Sequence, residues 1–209
     1  MSGKYMSKKR AILTIAVYTI MAMSVALFLT LNLSVLLIHY PHWNISVAAT
    51  RNDYLRLLWY LQDPGNHQLL LHHVPLSKVG YRHFKDVRLI MILNETVIIV
   101  SGSLVSILLK EICRRKMAWQ LLKPLEIIMT VLIISFSMVL VNFSTLFVRF
   151  HYLIFANHDW VFKTNTDPII LMLPLSFFTQ AFLLWGGLFF TLLLVLWSGI
   201  YMSLRFLKP

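Results

Sequence analysis

Apolar residues in this chain do not alternate with polar ones; they run. Four stretches, about 11–38, 89–109, 125–148 and 178–204, are almost free of charge. A helix crosses a bilayer core in about 20 residues, so each stretch predicts a transmembrane helix. The first would be ~42 Å long and so tilts or projects beyond the ~30 Å core. It follows Lys4, Lys8, Lys9 and Arg10 as a signal peptide would. Its 28 residues exceed the about 7–15 of a signal core, which predicts a retained first span. No internal repeat and no low-complexity linker interrupts the pattern, so residues 1–209 read as a single all-α, polytopic membrane domain. Four antiparallel helices predict a bundle, with the 1–2 and 3–4 connections, about 39–88 and 149–177, forming a small extracellular cap.

The polar connections carry further elements. Asn52 or Asp53 is a candidate cap for a short helix, "DYLRLLWYL", that ends at the breaker Asp63-Pro64-Gly65. Its Tyr54, Trp59 and Tyr60, with Arg51 and Arg56 nearby, suit a membrane interface. Two readings stand: a surface lid, or a lintel that admits a lipid chain sideways between spans. From about Ser77 a helix should run into the second span. In the last connection Asp167-Pro168 and Pro174 bracket a run too short to span, which predicts a re-entrant or interfacial segment. Ser101-Gly102-Ser103 and Gly186-Gly187 read as close helix contacts.

Composition agrees with the run pattern: 58% of residues are hydrophobic and only 13% charged, against about a quarter charged in soluble domains. The net charge of +11 is uneven. Both termini and the middle connection hold 11 of the 19 Lys and Arg with only Glu111 and Glu126 to offset them, a balance of +9. The other two connections, with Glu95 of the second span, sum to +2. The positive-inside rule then predicts cytoplasmic termini, and the basic balance is topological, with contact to anionic membrane lipid and no role in nucleic-acid binding. A lone Cys113 excludes an intramolecular disulfide and a paired-thiolate metal site.

That orientation gathers the chemistry on one face. All eight histidines, 39, 42, 67, 72, 73, 83, 151 and 158, fall in or beside the two outer connections. His83 and Asp86, three apart on a helix, share a face, and a carboxylate beside an imidazole suits a general base. The pattern H-x-x-D is weak alone and occurs by chance. His72-His73 and His39 with His42 lack the ligand number and spacing of a zinc site, and solvated histidines are the simpler reading. Asn94 and Glu95 lie inside the second span, where an acid should face the bundle interior or water. Arg88 and Arg149 are its candidate partners, in a structural ion pair or a substrate contact.

Three stretches together resemble the lipoprotein intramolecular transacylase family, Lit, of Gram-positive bacteria. They are "LSKVGYRHFKDVR", with a histidine three residues before Asp-Val and a basic residue, "FHYLIFANHDWVF", and "TDPIILMLPLSFF". With the four-span layout the resemblance covers nearly the whole chain. It implies an acyltransferase of the bacterial plasma membrane whose substrate is a diacylated lipoprotein. The sn-2 acyl chain would move from glycerol oxygen to the α-amine of the N-terminal cysteine, giving the lyso-form, with no metal or organic cofactor. The resemblance implies His151 as principal base and His83 as second base or acid, at the outer leaflet. Asp86 would orient His83; Asp159 or Asp167 would orient His151 or hold the outer loop; Tyr152 and Trp160 would donate to an oxyanion or wall the pocket. The roles of Asn157 and His158 stay open. The absence of a Gly-x-Ser-x-Gly elbow agrees with transfer without an acyl-enzyme.

Two rival classes remain. A haem- or quinone-binding bundle would need histidines within the spans, facing one another. A non-catalytic membrane partner or metal-handling protein would use the outer-face histidines, His72 and His73 first.

Overall fold

The computed structural model describes residues 6–42, 44–65 and 68–205, with Arg205 by its backbone alone. Lys4, His67 and the two C-terminal cations, Lys208 and the Arg205 side chain, lie outside the described residues. The elements are all helical: α1 (Lys8–Leu33), α2 (Val47–Gln62), α3 (Lys78–Arg114), α4 (Leu122–Val141), α5 (Phe143–Ile154), α6 (Ile169–Met172) and α7 (Leu175–Arg205), with 3-10 turns at Ser34–Leu36 and Ala118–Leu121. Four of them, Lys8–Leu36, Lys78–Arg114, Ala118–Val141 and Leu175–Leu204, are long and apolar enough to cross a membrane. The chain divides into two compact units, one of residues Met1–Leu27, Glu95–Met138 and Trp185–Pro209, the other of Phe28–Asn94 and Val139–Leu184.

In the first unit, Ala11, Ile15, Tyr18, Ala22 and Ala26 recur every three to four residues of α1 and are all buried. Between apolar helices the gain comes from close packing, which small residues permit. Polar side chains add fixed points. The Tyr18 hydroxyl donates to the Leu192 carbonyl at 2.8 Å, Trp185 Nε1 to Met23 at 3.1 Å, and Trp197 Nε1 to Glu126 at 3.2 Å. Arg10 pairs with Glu111 through its two terminal guanidinium nitrogens, and Arg115 joins at 2.6 Å. Gly186 is a close contact: a Cβ there would fall 2.2 Å from Phe136 Cζ. Gly187 and Gly102 instead meet nothing within 4 Å.

The second unit holds α2, and its start differs from the sequence reading. Ser46 caps the helix, its Oγ accepting the Ala49 amide at 3.2 Å, so α2 begins six residues before Asp53. Asp53 is interior to the helix and almost wholly buried, accepting the backbone amides of His72, His73 and Val74 at 2.9, 2.7 and 2.8 Å. A buried charge is tolerated because three donors converge on it. The far end of α2 is held by Arg88, whose guanidinium donates to the carbonyls of Tyr60, Asp63 and Pro64 at 3.0, 2.8 and 3.0 Å and lies over the Tyr60 ring. Tyr54 meets Ser34 at 2.6 Å. Helix α2 is thus pinned at its start, middle and end, with Trp59 left exposed.

Two further differences bear on the site. The third apolar run does not continue to 148: Asn142, with φ −136°, breaks the helix, and α5 starts afresh. Helix α3 begins at Lys78, as expected from Ser77 onward, and its 37 residues give a length of about 55 Å. That is longer than a ~30 Å core requires.

Candidate active site

Helix α3 carries His83 in its second turn, and α5 carries His151 in its last. The two imidazole centroids lie 6.1 Å apart with planes inclined at 34°. Aromatic rings enclose both. Phe155, Phe162 and Phe84 stand 4.8, 5.5 and 5.6 Å from His83; Phe147, Trp160 and Phe155 stand 4.3, 5.0 and 5.6 Å from His151. His83 is buried, and its Nδ1 has no hydrogen-bond partner.

The tautomer of His151 follows from one bond. Its Nδ1 sits 2.7 Å from the Phe147 carbonyl oxygen, one helical turn back. A carbonyl only accepts, so Nδ1 carries the proton and Nε2 is left with a free lone pair. Burial lowers the His151 pKa below the ordinary imidazole value, partly opposed by that same bond. At neutral pH the ring is an uncharged base with Nε2 as its basic atom.

The 157–160 turn is fastened to α3 at two points. Arg82 grips Asp159 through two bonds of 2.7 and 3.1 Å, and Asn157 Nδ2 donates to Asp86 at 3.1 Å. The hydrogen bond from Arg82 holds the Asp159 carboxyl below the usual carboxylate range. Arg82 and Asp86 are one turn apart on one helix face, flanking His83. Asn157 also accepts the Asp159 amide at 3.0 Å and, through its carbonyl, Trp160 Nε1 at 3.1 Å. This turn therefore delivers Trp160 to the face of His151. Asn157 and Arg82 are the residues that local reading left open or passed over. The i,i+4 spacing of Arg82 and Asp86 was a usable signal, but their partners lie more than seventy residues away.

The other expected residues divide. Asp167 is buried at the start of α3, accepting from the Ser77 amide at 2.8 Å and the Ser77 and Thr166 hydroxyls at 2.9 Å each. It holds the outer loop to the helix that bears His83. The Tyr152 hydroxyl is exposed and has no partner among the described residues, while its ring lies edge-on to Trp160 and near His158. Trp160 spends its indole N–H within the turn and so forms a wall. Glu95 makes no ion pair among the described residues; Arg149 is exposed and Arg88 serves α2. Among the described residues no three His, Cys, Asp or Glu side chains are grouped as a metal would require, and the exposed His72 and His73 rings stand 6.4 Å apart.

These features define a multi-pass, all-helical membrane protein with a pair of aromatic-enclosed imidazoles. A family profile described as lipoprotein intramolecular transacylase Lit matches residues 7–178. The chain belongs to that family and is an acyltransferase. Its fold is also that of the membrane integral lipoprotein intramolecular transacylase Lit from Bacillus cereus, solved in meso, with TM-score 0.77 and 21% identity over 95% of this chain and 97% of that one. Two further structures of the Bacillus cereus protein, with a histidine replaced by arginine or by alanine, match with TM-score 0.72 each. Their identities are 23% and 24%, over 93% of this chain in both cases and 92% and 94% of those chains. No curated protein gives a significant match.

Proposed function

We propose that the chain moves the sn-2 acyl chain of a diacylglyceryl-modified bacterial lipoprotein to the α-amine of its N-terminal cysteine, with His151 as base. The observation that carries this reading is the Nδ1–H bond from His151 to the Phe147 carbonyl, which leaves Nε2 as a free base beside a second imidazole. An α-amine of pKa about 7.7–8.0 is mostly protonated at neutral pH and cannot attack. His151 Nε2 removes that proton, which passes on to solvent. The freed nitrogen attacks the sn-2 carbonyl carbon, and the carbonyl electron pair moves onto oxygen. Collapse re-forms the carbonyl and breaks its bond to the glycerol oxygen. The surplus proton on nitrogen goes to imidazole, and the departing alkoxide takes a proton from imidazolium, with His83 as the second acid or base. One N–C bond replaces one O–C bond, and the product has the mass of the substrate. Nucleophile and ester belong to one molecule, so proximity supplies much of the rate and no acyl-enzyme is needed.

Within this reading the free Tyr152 hydroxyl is the donor to the oxyanion, and Trp160 and the phenylalanines exclude water. No resident cofactor is required, because proton transfer is the only chemistry asked of the protein. The cation distribution supports cytoplasmic termini, which sets the imidazole pair at the outer leaflet of a Gram-positive plasma membrane. Residues 1–209 act as one membrane domain around that site. The test is expression in a strain whose lipoproteins are otherwise diacylated with free amines. Tandem mass spectrometry of the N-terminal lipopeptide should show one acyl chain on nitrogen at unchanged total mass. A chain that stays on glycerol refutes the reading.

A further inference from the structure

Five carboxylates belong to the unit that carries the two imidazoles, and four have evident duties. Asp53 takes three backbone amides, and Asp63 closes its own turn onto the Gly65 amide at 2.9 Å. Asp159 is held twice by Arg82, and Asp167 takes an amide and two hydroxyls at the start of α3. Asp86 differs. It accepts one hydrogen bond, from the neutral Asn157 amide to Oδ2, and forms no ion pair among the described residues. Its Oδ1 accepts nothing and is not enclosed.

The charge balance around it is therefore unfinished. Arg82 and Asp159 neutralise one another, and with both imidazoles uncharged the group Arg82, Asp86 and Asp159 keeps one net negative charge. That charge lies one helical turn from His83, close enough to act on its ring. A second, independent feature lies beside it: the Nδ1 of His83, a residue only 7% exposed, is enclosed and has no partner. Burying a polar atom unpaired is costly, and such groups commonly mark where a ligand supplies the missing bond.

We propose that Asp86 is the receptor for a primary ammonium, the α-ammonium of the lipoprotein's N-terminal cysteine. The inference rests on the transacylase reading above and names the residue that recognises the nucleophile before it reacts. A primary ammonium carries a single positive charge and three N–H donors. One donor meets Asp86 Oδ1, and two are left for the imidazole pair. Asn157 holds the carboxylate in place from the other side. Binding as the ammonium selects lipoproteins with a free amine and rejects those already N-acylated, which have neither the charge nor the three donors.

Full-length protein in lipid nanodiscs tests this with two unreactive ligands. Both are S-glyceryl-cysteinyl peptides with ether-linked chains in place of esters, one with a free α-amine and one N-acetylated. Near neutral pH the wild-type protein should bind the free amine about tenfold more tightly or better, as expected for a charge-assisted hydrogen bond in a partly enclosed site. Asp86→Asn keeps an oxygen acceptor for Asn157 but removes the charge. It should reduce the preference to under about twofold while leaving affinity for the N-acetyl ligand unchanged. Asp63→Asn, the same change elsewhere in the unit, should keep the wild-type preference. The proposal is overturned if Asp86→Asn retains the preference, or if the wild type shows none. The transacylase reading fails separately, when wild-type protein moves no acyl chain in the lipopeptide assay.

Discussion

Two glycines on one helix should respond in opposite directions to the same substitution. At Gly80 a new Cβ would fall 2.6 Å from Asp167 Oδ1 and 2.6 Å from Leu76 Cδ1, closer than real contacts allow. Asp167 cannot yield freely, because it is buried and holds the Ser77 amide and hydroxyl and the Thr166 hydroxyl. Gly80→Ala therefore displaces the carboxylate that ties the 149–177 connection to the start of α3. Losing two hydrogen bonds to a charged acceptor costs about 1.5–3 kcal/mol each, against roughly 1 kcal/mol gained by alanine in a helix. The net loss is on the order of 2–5 kcal/mol, which for a chain of this size lowers the unfolding midpoint by roughly 5–15 °C. Gly102, in the same helix, meets nothing within 4 Å, so Gly102→Ala should leave the midpoint unchanged or raise it by a few degrees. The assay is thermal unfolding of both variants in one detergent, followed by tryptophan fluorescence. Transacylase activity of Gly80→Ala should fall with stability, because His83 lies one turn further on. Equal midpoints for the two variants would refute the reasoning.

Because burial lowers the His151 pKa, the ring stays unprotonated to a pH below the ordinary imidazole value, and acid inactivation is delayed accordingly. Besides the limb that the substrate α-amine sets at about pH 7.7–8.0, the kcat/KM profile should thus show an enzyme limb below about pH 6.5, and an enzyme limb above that value would contradict the assignment. Arg82→Asp and Asp159→Arg should each lower kcat/KM by about fivefold or less, since the pair is solvent-exposed on its arginine side. The double variant should recover most of that loss; failure to recover would mean the pair does not set the 157–160 turn. Asp53→Ala strands three backbone amides and should cost about 3 kcal/mol or more, with faster hydrogen exchange at residues 72–74. Unchanged exchange there would show that the carboxylate does not hold that segment.

Long-range order was legible in the sequence wherever it depended on length and composition. The four spans, the continuous helix from Ser77 into the second span and the helix break around Pro174 all follow from runs and breakers. Boundaries set by one side chain were not. Asn142 ends α4 seven residues early, although polar residues inside apolar helices often do no such thing. Asp53 looked like a helix cap because it is a small acid near an amphipathic start, whereas Ser46 fills that role and Asp53 answers a loop about twenty residues on. The spacing of His83 and Asp86 pointed to a bond between them, and the carboxylate instead meets Asn157. Such pairings join residues far apart in sequence, and no local pattern encodes them. The histidine motifs could mark His83 and His151 through their order along the chain, yet not that their rings face one another at 6.1 Å.

The central claim is that one imidazole, held as a base through Nε2, drives acyl transfer within a single substrate molecule. Single-turnover conversion of a diacylated, free-amine lipopeptide by purified protein tests it most directly, comparing wild type with His151→Ala at matched amounts of folded protein. His151→Ala should be slower by about a hundredfold or more, the contribution expected of a positioned general base. A wild-type rate from His151→Ala would contradict it.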